Sequence, residues 1–250
     1  MFKFGTINNK KILKSTLLAR AEHFFTTRES VITPRDLPEL SPVCKQNLDD
    51  ISKYLNIPQE NFVTPIQTHS SNIKLARKGQ LYTDTDALVV DDPNVAIILN
   101  FADCTPVILY DEINNIGAIS HAGWRGTASS IVPKTIDFMH KEFSTEPQNI
   151  TAIIGPAISL KNYRIDNDVF AKVKASLSTD YGDYYFFDKT ADKYNIDLKT
   201  VNFYQLKELG VERIDICEYC TYDSIDVFFS YRRENGKTAR HSAVLKLKNK

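Results

Sequence analysis

Short apolar runs follow one another between residues 87 and 120, and they constrain the fold more than any other feature. Ala87–Val90, Val95–Leu99, Pro106–Tyr110 and Ile116–Ser120 are each four to five residues long, and several are rich in β-branched side chains. They are bounded by Asp91-Asp92-Pro93, Ala102-Asp103-Cys104 and Glu112-Ile113-Asn114-Asn115. Runs this short between polar breaks read as buried strands rather than helices. Asn114-Asn115 ahead of Gly117 predicts a hairpin.

Further strands are expected at Phe62–Ile66, Ile150–Ile154, Val211–Cys217, Val227–Ser230 and Ser242–Leu247. Thr127–Phe143 reads as a helix with Ile131, Thr135, Phe138 and Met139 on one face. Pro133 requires that helix either to start late or to kink. Asp166–Leu177 and Leu198–Leu209 read as helices, the second stopped by Gly210. Thr33–Pro42, with Pro34, Pro38 and Pro42, reads as an extended loop. This mixed order favours an α+β sandwich over a doubly wound parallel sheet. No repeat or linker interrupts the chain, so a single domain over 1–250 is expected.

Composition removes some functions. Lys plus Arg is 31 and Asp plus Glu is 31, which argues against a nucleic-acid binder working through bulk positive charge. A local basic pocket stays open. Four cysteines are too few for a disulfide scaffold. No apolar run approaches the ~18–20 residues that span a bilayer, so no membrane partner is expected. Met1–Gly5 lacks the apolar core of a signal peptide. The expected compartment is the cytoplasm.

Three segments place an imidazole or a thiol where a strand is expected to end: Gln67-Thr68-His69, Asp103-Cys104 and Ser120-His121. Two histidines and one cysteine suit a catalytic zinc site, because three protein donors leave the fourth tetrahedral position open. The separations, 35 and 17 residues, are unlike those of a zinc finger. On spacing alone, His69 and His121 as hydrogen-bonded histidines and Cys104 as a small buried hydrophobe are the favoured reading.

The surrounding strings add to this. Phe101-Ala102-Asp103-Cys104-Thr105-Pro106-Val107, followed by Ser120-His121-Ala122-Gly123-Trp124-Arg125-Gly126-Thr127, resembles the signature of the laccase-domain family. That family is also called multicopper polyphenol oxidoreductase and peptidoglycan editing factor. Gln67-Thr68-His69, Asp86-Ala87-Leu88, Ile154–Ser159, Asp197-Leu198, Cys220-Thr221-Tyr222 and Phe229–Arg233 follow in the family order. The resemblance implies a one-domain α/β sandwich, distantly similar to the catalytic domain of a bacterial deamidase toxin. It implies zinc on His69, Cys104 and His121, which are then also the catalytic residues. It further implies purine nucleoside phosphorylase activity with accompanying adenosine deaminase activity. It leaves room for a homodimer.

Three positions depart from the pattern. Glu29-Ser30-Val31 stands where an Asn-Gly-Gly-Val-Ser loop is usual, Ser70 where Gly often follows the first histidine, and Arg164 where an acidic residue is common. They bear on substrate preference, not on the three ligands. Copper belongs to the family by name. A blue multicopper oxidase needs on the order of ten histidine ligands, and this chain has five. A laccase built that way is rejected.

An open zinc can activate water or polarise a substrate oxygen. Water attack on C6 of adenosine gives inosine; phosphate attack on the ribose C1′ releases the base. The second reaction needs a cationic clamp, and guanidinium grips phosphate with two parallel donors. Arg125, Arg28, Arg232 and Arg233 are the candidates, with Arg125 preferred because it lies four residues past His121. Trp124 is expected either to stack on a base or to pack in the core. Asp103 is expected either to orient a histidine or to bond its own turn. Gly123 and Gly126 are expected to permit close backbone approach beside the metal. Cys217-Glu218-Tyr219-Cys220 alone is a weak metal or redox motif, and Cys44, His23, His140 and His241 have nothing nearby in sequence to complete a site. Two other readings stand beside the phosphorylase: an amide hydrolase editing peptidoglycan muramyl-peptide precursors, and a zinc-stabilised binding protein without turnover.

Overall fold

A computed structural model describes residues 1–32 and 41–249. In chain order the first half holds β1 (Phe2–Ile7), β2 (Lys10–Ser15), β3 (Ala21–Thr26), α1 (Pro42–Leu55), β4 (Phe62–Val63), β5 (Ile73–Leu75), β6 (Ala87–Val90), β7 (Ala96–Phe101), β8 (Thr105–Asp111) and β9 (Ile116–Ala122). The second half holds α2 (Trp124–Ala128), α3 (Ile131–Phe143), β10 (Ile150–Ile154), β11 (Arg164–Ile165), α4 (Asn167–Lys174), β12 (Tyr185–Asp188), β13 (Lys193–Ile196), α5 (Leu198–Glu208), β14 (Arg213–Ile216) and β15 (His241–Leu247).

Two six-stranded sheets form the centre, in the orders β1-β2-β3-β15-β7-β4 and β14-β10-β8-β9-β6-β5. Both are mainly antiparallel, with parallel strand pairing among the described residues at β10–β14, β4–β7 and β5–β6. Alternation along the strands sends one set of side chains between the sheets and the other set outward. Leu13, Phe25, Ile97, Leu99 and Leu245 of the first sheet meet Leu88, Ile108, Ile119 and Ile153 of the second. Gly117 of β9 lets the sheets close: a Cβ there would lie 2.7 Å from Leu245 Cδ2.

Both outer faces are covered as well. Ala87, Val89, Leu109, Ala118 and Ile154 pack on Ile131, Val132, Ile136 and Met139 of α3 and Leu206 of α5. Ile12, Phe24, Ile98 and Val244 pack on Ile51 and Leu55 of α1. The layers therefore run helix, sheet, sheet, helix. Burial on both faces explains why the runs from 87 to 120 are almost wholly apolar instead of alternating with polar residues. The expected mixed α/β sandwich is the observed architecture. A third, three-stranded sheet, β11-β13-β12, packs with α4 through Ile165, Phe170, Val173 and Ile196.

The structure revises several expected elements. The hairpin at 114–115 forms, joining β8 and β9 with Asn115 at φ 57°. The helix over 127–143 divides: α2 ends at Ala128, Ser130 turns at φ 55°, and α3 starts at Ile131 with Pro133 in its first turn. Proline costs nothing there because first-turn N–H groups have no helical acceptor. Val227–Ser230 is not a strand. Its backbone is satisfied otherwise: Val227 and Phe228 N–H donate to Ser224 O, and Phe228 O accepts from Arg28 and Arg233. The strand expected through Ile66 stops at Val63. Of the extended loop expected at 33–42, residues 33–40 lie outside the described part. Pro42 instead opens α1, whose Ser41 Oγ accepts the Cys44 N–H. The β1–β2 hairpin is turned by Asn8-Asn9 at positive φ, and an adjacent pair of asparagines is the signal in the sequence for such a turn.

Candidate metal centre and cavity

His69, Cys104 and His121 meet at one end of the sandwich. Their donor atoms all lie within 4.8 Å of one another. Each arrives differently. His121 is the next-to-last residue of β9, buried, and its backbone N–H donates to Asp86 O. Cys104 lies in the tight link between β7 and β8, after Asp103 at φ 84°. His69 is in a loop, itself at φ 64°, and is exposed. That loop is pinned by Gln67, whose side-chain amide donates to Asn100 O and accepts the Asn100 N–H. The side chain thus stands in for a neighbouring strand at the end of β7.

The donors fit a single ion. Tetrahedral zinc with Zn–N near 2.1 Å and Zn–S near 2.3 Å needs donor separations of about 3.5 Å, within side-chain reach of the observed spread. The Asp86 carboxylate takes the His121 Nδ1–H at 2.8 Å, which leaves Nε2 with its lone pair for a metal. Backbone space is shaped to the site: a Cβ on Gly123 would stand 2.8 Å from Cys104 Sγ and 3.2 Å from His69 Cδ2. Gly126 likewise approaches His121 O, at 3.0 Å from where its Cβ would be.

Electrostatics point the same way. Burial by itself would raise the Cys104 thiol, but His121 and His69 beside it outweigh burial and bring it below its ordinary value. Burial would lower His121, yet the Cys104 sulfur and the Asp86 carboxylate raise it. Asp86 is buried, which alone would raise it; hydrogen bonds from His121 and Ser70 hold it far below the usual carboxylate range.

A cavity of about 710 Å³ opens over the three donors, within the range of small-molecule sites. Trp124, Arg125 and Arg232 line it, as do Tyr163, Tyr231 and Arg240, which sequence reading missed. The Arg125 guanidinium stacks 4.2 Å over the Trp124 ring, and Arg232 lies 5.2 Å over Tyr163. Trp124 also packs against the small-sheet cluster, so it is a platform and a core residue at once. Arg28 is not brought to the cavity: it pairs with Glu234, donates to Phe228 O and stacks 4.4 Å over Phe229. Arg233 is likewise spent on Thr221, Tyr222 and Phe228 carbonyls.

Asp103 neither orients a histidine nor bonds its own turn. Its carboxylate accepts Thr221 Oγ1 at 2.7 Å, Ser230 Oγ at 3.0 Å and the Arg232 N–H at 2.7 Å. It ties the 221–232 segment to the neighbour of Cys104. The other histidines stay away from the three donors. His23 accepts the Ser15 N–H, His140 faces Thr145 O, and His241 is buried beside Phe101 and Phe228. With two histidines at the site, a trinuclear copper cluster has no ligands to draw on.

The family model described as multi-copper polyphenol oxidoreductase laccase matches residues 39–248. The chain belongs to this laccase-domain family. Among the family's relatives, a purine nucleoside phosphorylase of Staphylococcus epidermidis is 32% identical over 242 residues, covering 88% of this chain and 89% of the relative. One of Synechocystis is 32% identical over 264 residues, covering 98% and 97%. A solved structure, YlmD from Geobacillus stearothermophilus, superposes with a TM-score of 0.89 at 25% identity, covering 98% of this chain and 99% of that one. No helix among the described residues is long and apolar enough to cross a membrane.

Proposed function

We propose that this laccase-domain chain, acting as one catalytic unit over 1–250 in the cytoplasm, is a zinc-dependent purine nucleoside phosphorylase with adenosine deaminase side activity. The observation that carries this reading is the three-donor centre on the floor of a cavity rimmed by guanidinium groups. The names of the relatives, purine nucleoside phosphorylase, agree with it.

His69, Cys104 and His121 would hold the zinc and leave one position facing the cavity. Bound there, zinc supplies a Lewis acid that polarises a substrate oxygen or a water. The chain's own groups do the rest. Arg125, braced on Trp124, and Arg232, braced on Tyr163, hold phosphate by charge-assisted hydrogen bonds near the ribose C1′. Phosphate displaces the purine, giving free base and ribose 1-phosphate. In the side reaction water adds at C6 of adenosine and ammonia leaves, giving inosine. Arg28 contributes by bracing the 228–234 turn rather than by touching substrate.

Purified zinc-loaded protein incubated with adenosine and phosphate, followed by chromatography, tests the reading. Adenine and ribose 1-phosphate are expected, with inosine as a minor product. Absence of base release sinks it. Cleavage of a muramyl peptide in its place points to the amide hydrolase, and zinc binding without turnover of either points to a binding protein.

A further inference from the structure

Asp86 makes more contacts around the centre than any part of the proposed reaction requires. It is fully buried. Its Oδ1 accepts the His121 Nδ1–H at 2.8 Å and the His69 backbone N–H at 3.0 Å. Its Oδ2 accepts the Thr68 N–H at 3.1 Å, the Ser70 N–H at 2.7 Å and the Ser70 Oγ–H at 2.7 Å. One carboxylate therefore holds one ligand by its ring and the other by its main chain.

We infer that Asp86 is a positioning residue that couples the two histidine ligands, fixing the tautomer of His121 through Oδ1 and the left-handed turn that presents His69 through both oxygens. This rests on the metal reading above. A carboxylate is acceptor-only when ionised, so Nδ1 of His121 is the nitrogen that donates to it and Nε2 is the one left to serve a metal. His69 is exposed, lies in a loop whose flanks are tied at Gln67 to Asn100 and at Asn72 to Asp84, and adopts φ 64°, a left-handed conformation that needs support from its surroundings. The convergence of N–H groups from 68, 69 and 70 on one carboxylate supplies that support at the turn itself. Ser70 also acquires a role. Where a glycine would offer only its N–H, the serine hydroxyl adds a further donor to Oδ2.

The two halves of the coupling separate in Asp86→Asn. The amide oxygen can still accept from His121 and from His69 N–H, but the NH₂ group then faces the donors of Thr68 and Ser70. The His69 turn is released while His121 keeps its acceptor. Outer ligands of this kind typically change metal affinity by about 10–100-fold. Zinc affinity measured by chelator competition, with the cobalt(II) form read by its thiolate charge-transfer and d–d bands, tests this without using activity. The expected result is a loss of about 10–100-fold in Asp86→Asn, with a shifted cobalt spectrum. Ser70→Ala, which removes one of the donors, is expected to lose less than about tenfold in the same direction. A folded Asp86→Asn protein that binds zinc as tightly as wild type overturns the inference. If that variant does not fold, Ser70→Ala decides, and unchanged affinity there overturns it. Failure of the wild-type protein to bind zinc would instead remove the metal reading beneath it.

Discussion

Gly123 and Cys104 are in contact to the limit of atomic size: the position a Cβ would take at 123 is 2.8 Å from the Cys104 sulfur. Gly123 has φ −69°, so its conformation suits any residue, and what requires glycine is space alone. Gly123→Ala is therefore expected to push the thiol off its place in the donor triangle. The cost is about 1–3 kcal/mol of folding stability, with most of the bound zinc lost. Metal content and thermal melting measure both. A variant with full zinc and an unchanged melting point would show that the loop after β9 yields more easily than the geometry allows.

Three protein donors leave no spare. His69→Ala, Cys104→Ala and His121→Ala are each expected to lose bound zinc and phosphorylase activity together. Metal analysis of the purified variants checks this. Stoichiometric zinc in any one of them contradicts the ligand set.

Arg125 faces the cavity on a Trp124 platform, whereas Arg28 is engaged with Glu234 and Phe228. Removing a charge-assisted phosphate contact costs about 1.5–3 kcal/mol. Arg125→Ala is expected to weaken phosphate use by about tenfold to hundredfold while sparing deamination. Steady-state kinetics of both reactions distinguish the outcomes, and equal loss of both takes Arg125 out of the phosphate role.

Two buried histidines set an acid limit on the fold. Burial, aided by Lys14, depresses His23 to about 4, and burial, aided by Arg240, depresses His241 to about 3. Both are neutral in the folded protein at neutral pH, and their unfolded-state value is near 6.5. As pH falls through 6.5 the unfolded chain takes up protons that the folded chain refuses, so stability drops. The drop continues to about 4 for His23 and about 3 for His241, at up to about 1.4 kcal/mol per pH unit for each. Urea midpoints of metal-free protein between pH 7 and pH 4.5 are expected to fall steeply. His241→Phe, which fills the space between Phe101 and Phe228 with an apolar ring, should flatten the slope. A slope unchanged in that variant assigns the acid sensitivity elsewhere.

What the sequence determined by itself was local or patterned. The runs from 87 to 120 are short and almost wholly apolar, so they read as buried strands, and Asn114-Asn115 as a turn between two of them. Gly210, at φ 86°, closed α5 as expected. The motif strings around His69, Cys104 and His121 marked the three donors. Only the tertiary structure decided what stands behind them. Asp86 reaches His121 across 35 residues of chain, and Asp103 reaches Arg232 across 129. Neither distance leaves any periodicity to read, because a buried carboxylate is satisfied by whichever donors the fold brings to it. The same holds for the arginines. Motif position made both Arg28 and Arg125 candidates, with Arg125 preferred for its nearness to His121, and the partners each meets in space, Glu234 for one and the open cavity for the other, show why Arg125 and not Arg28 lines the site.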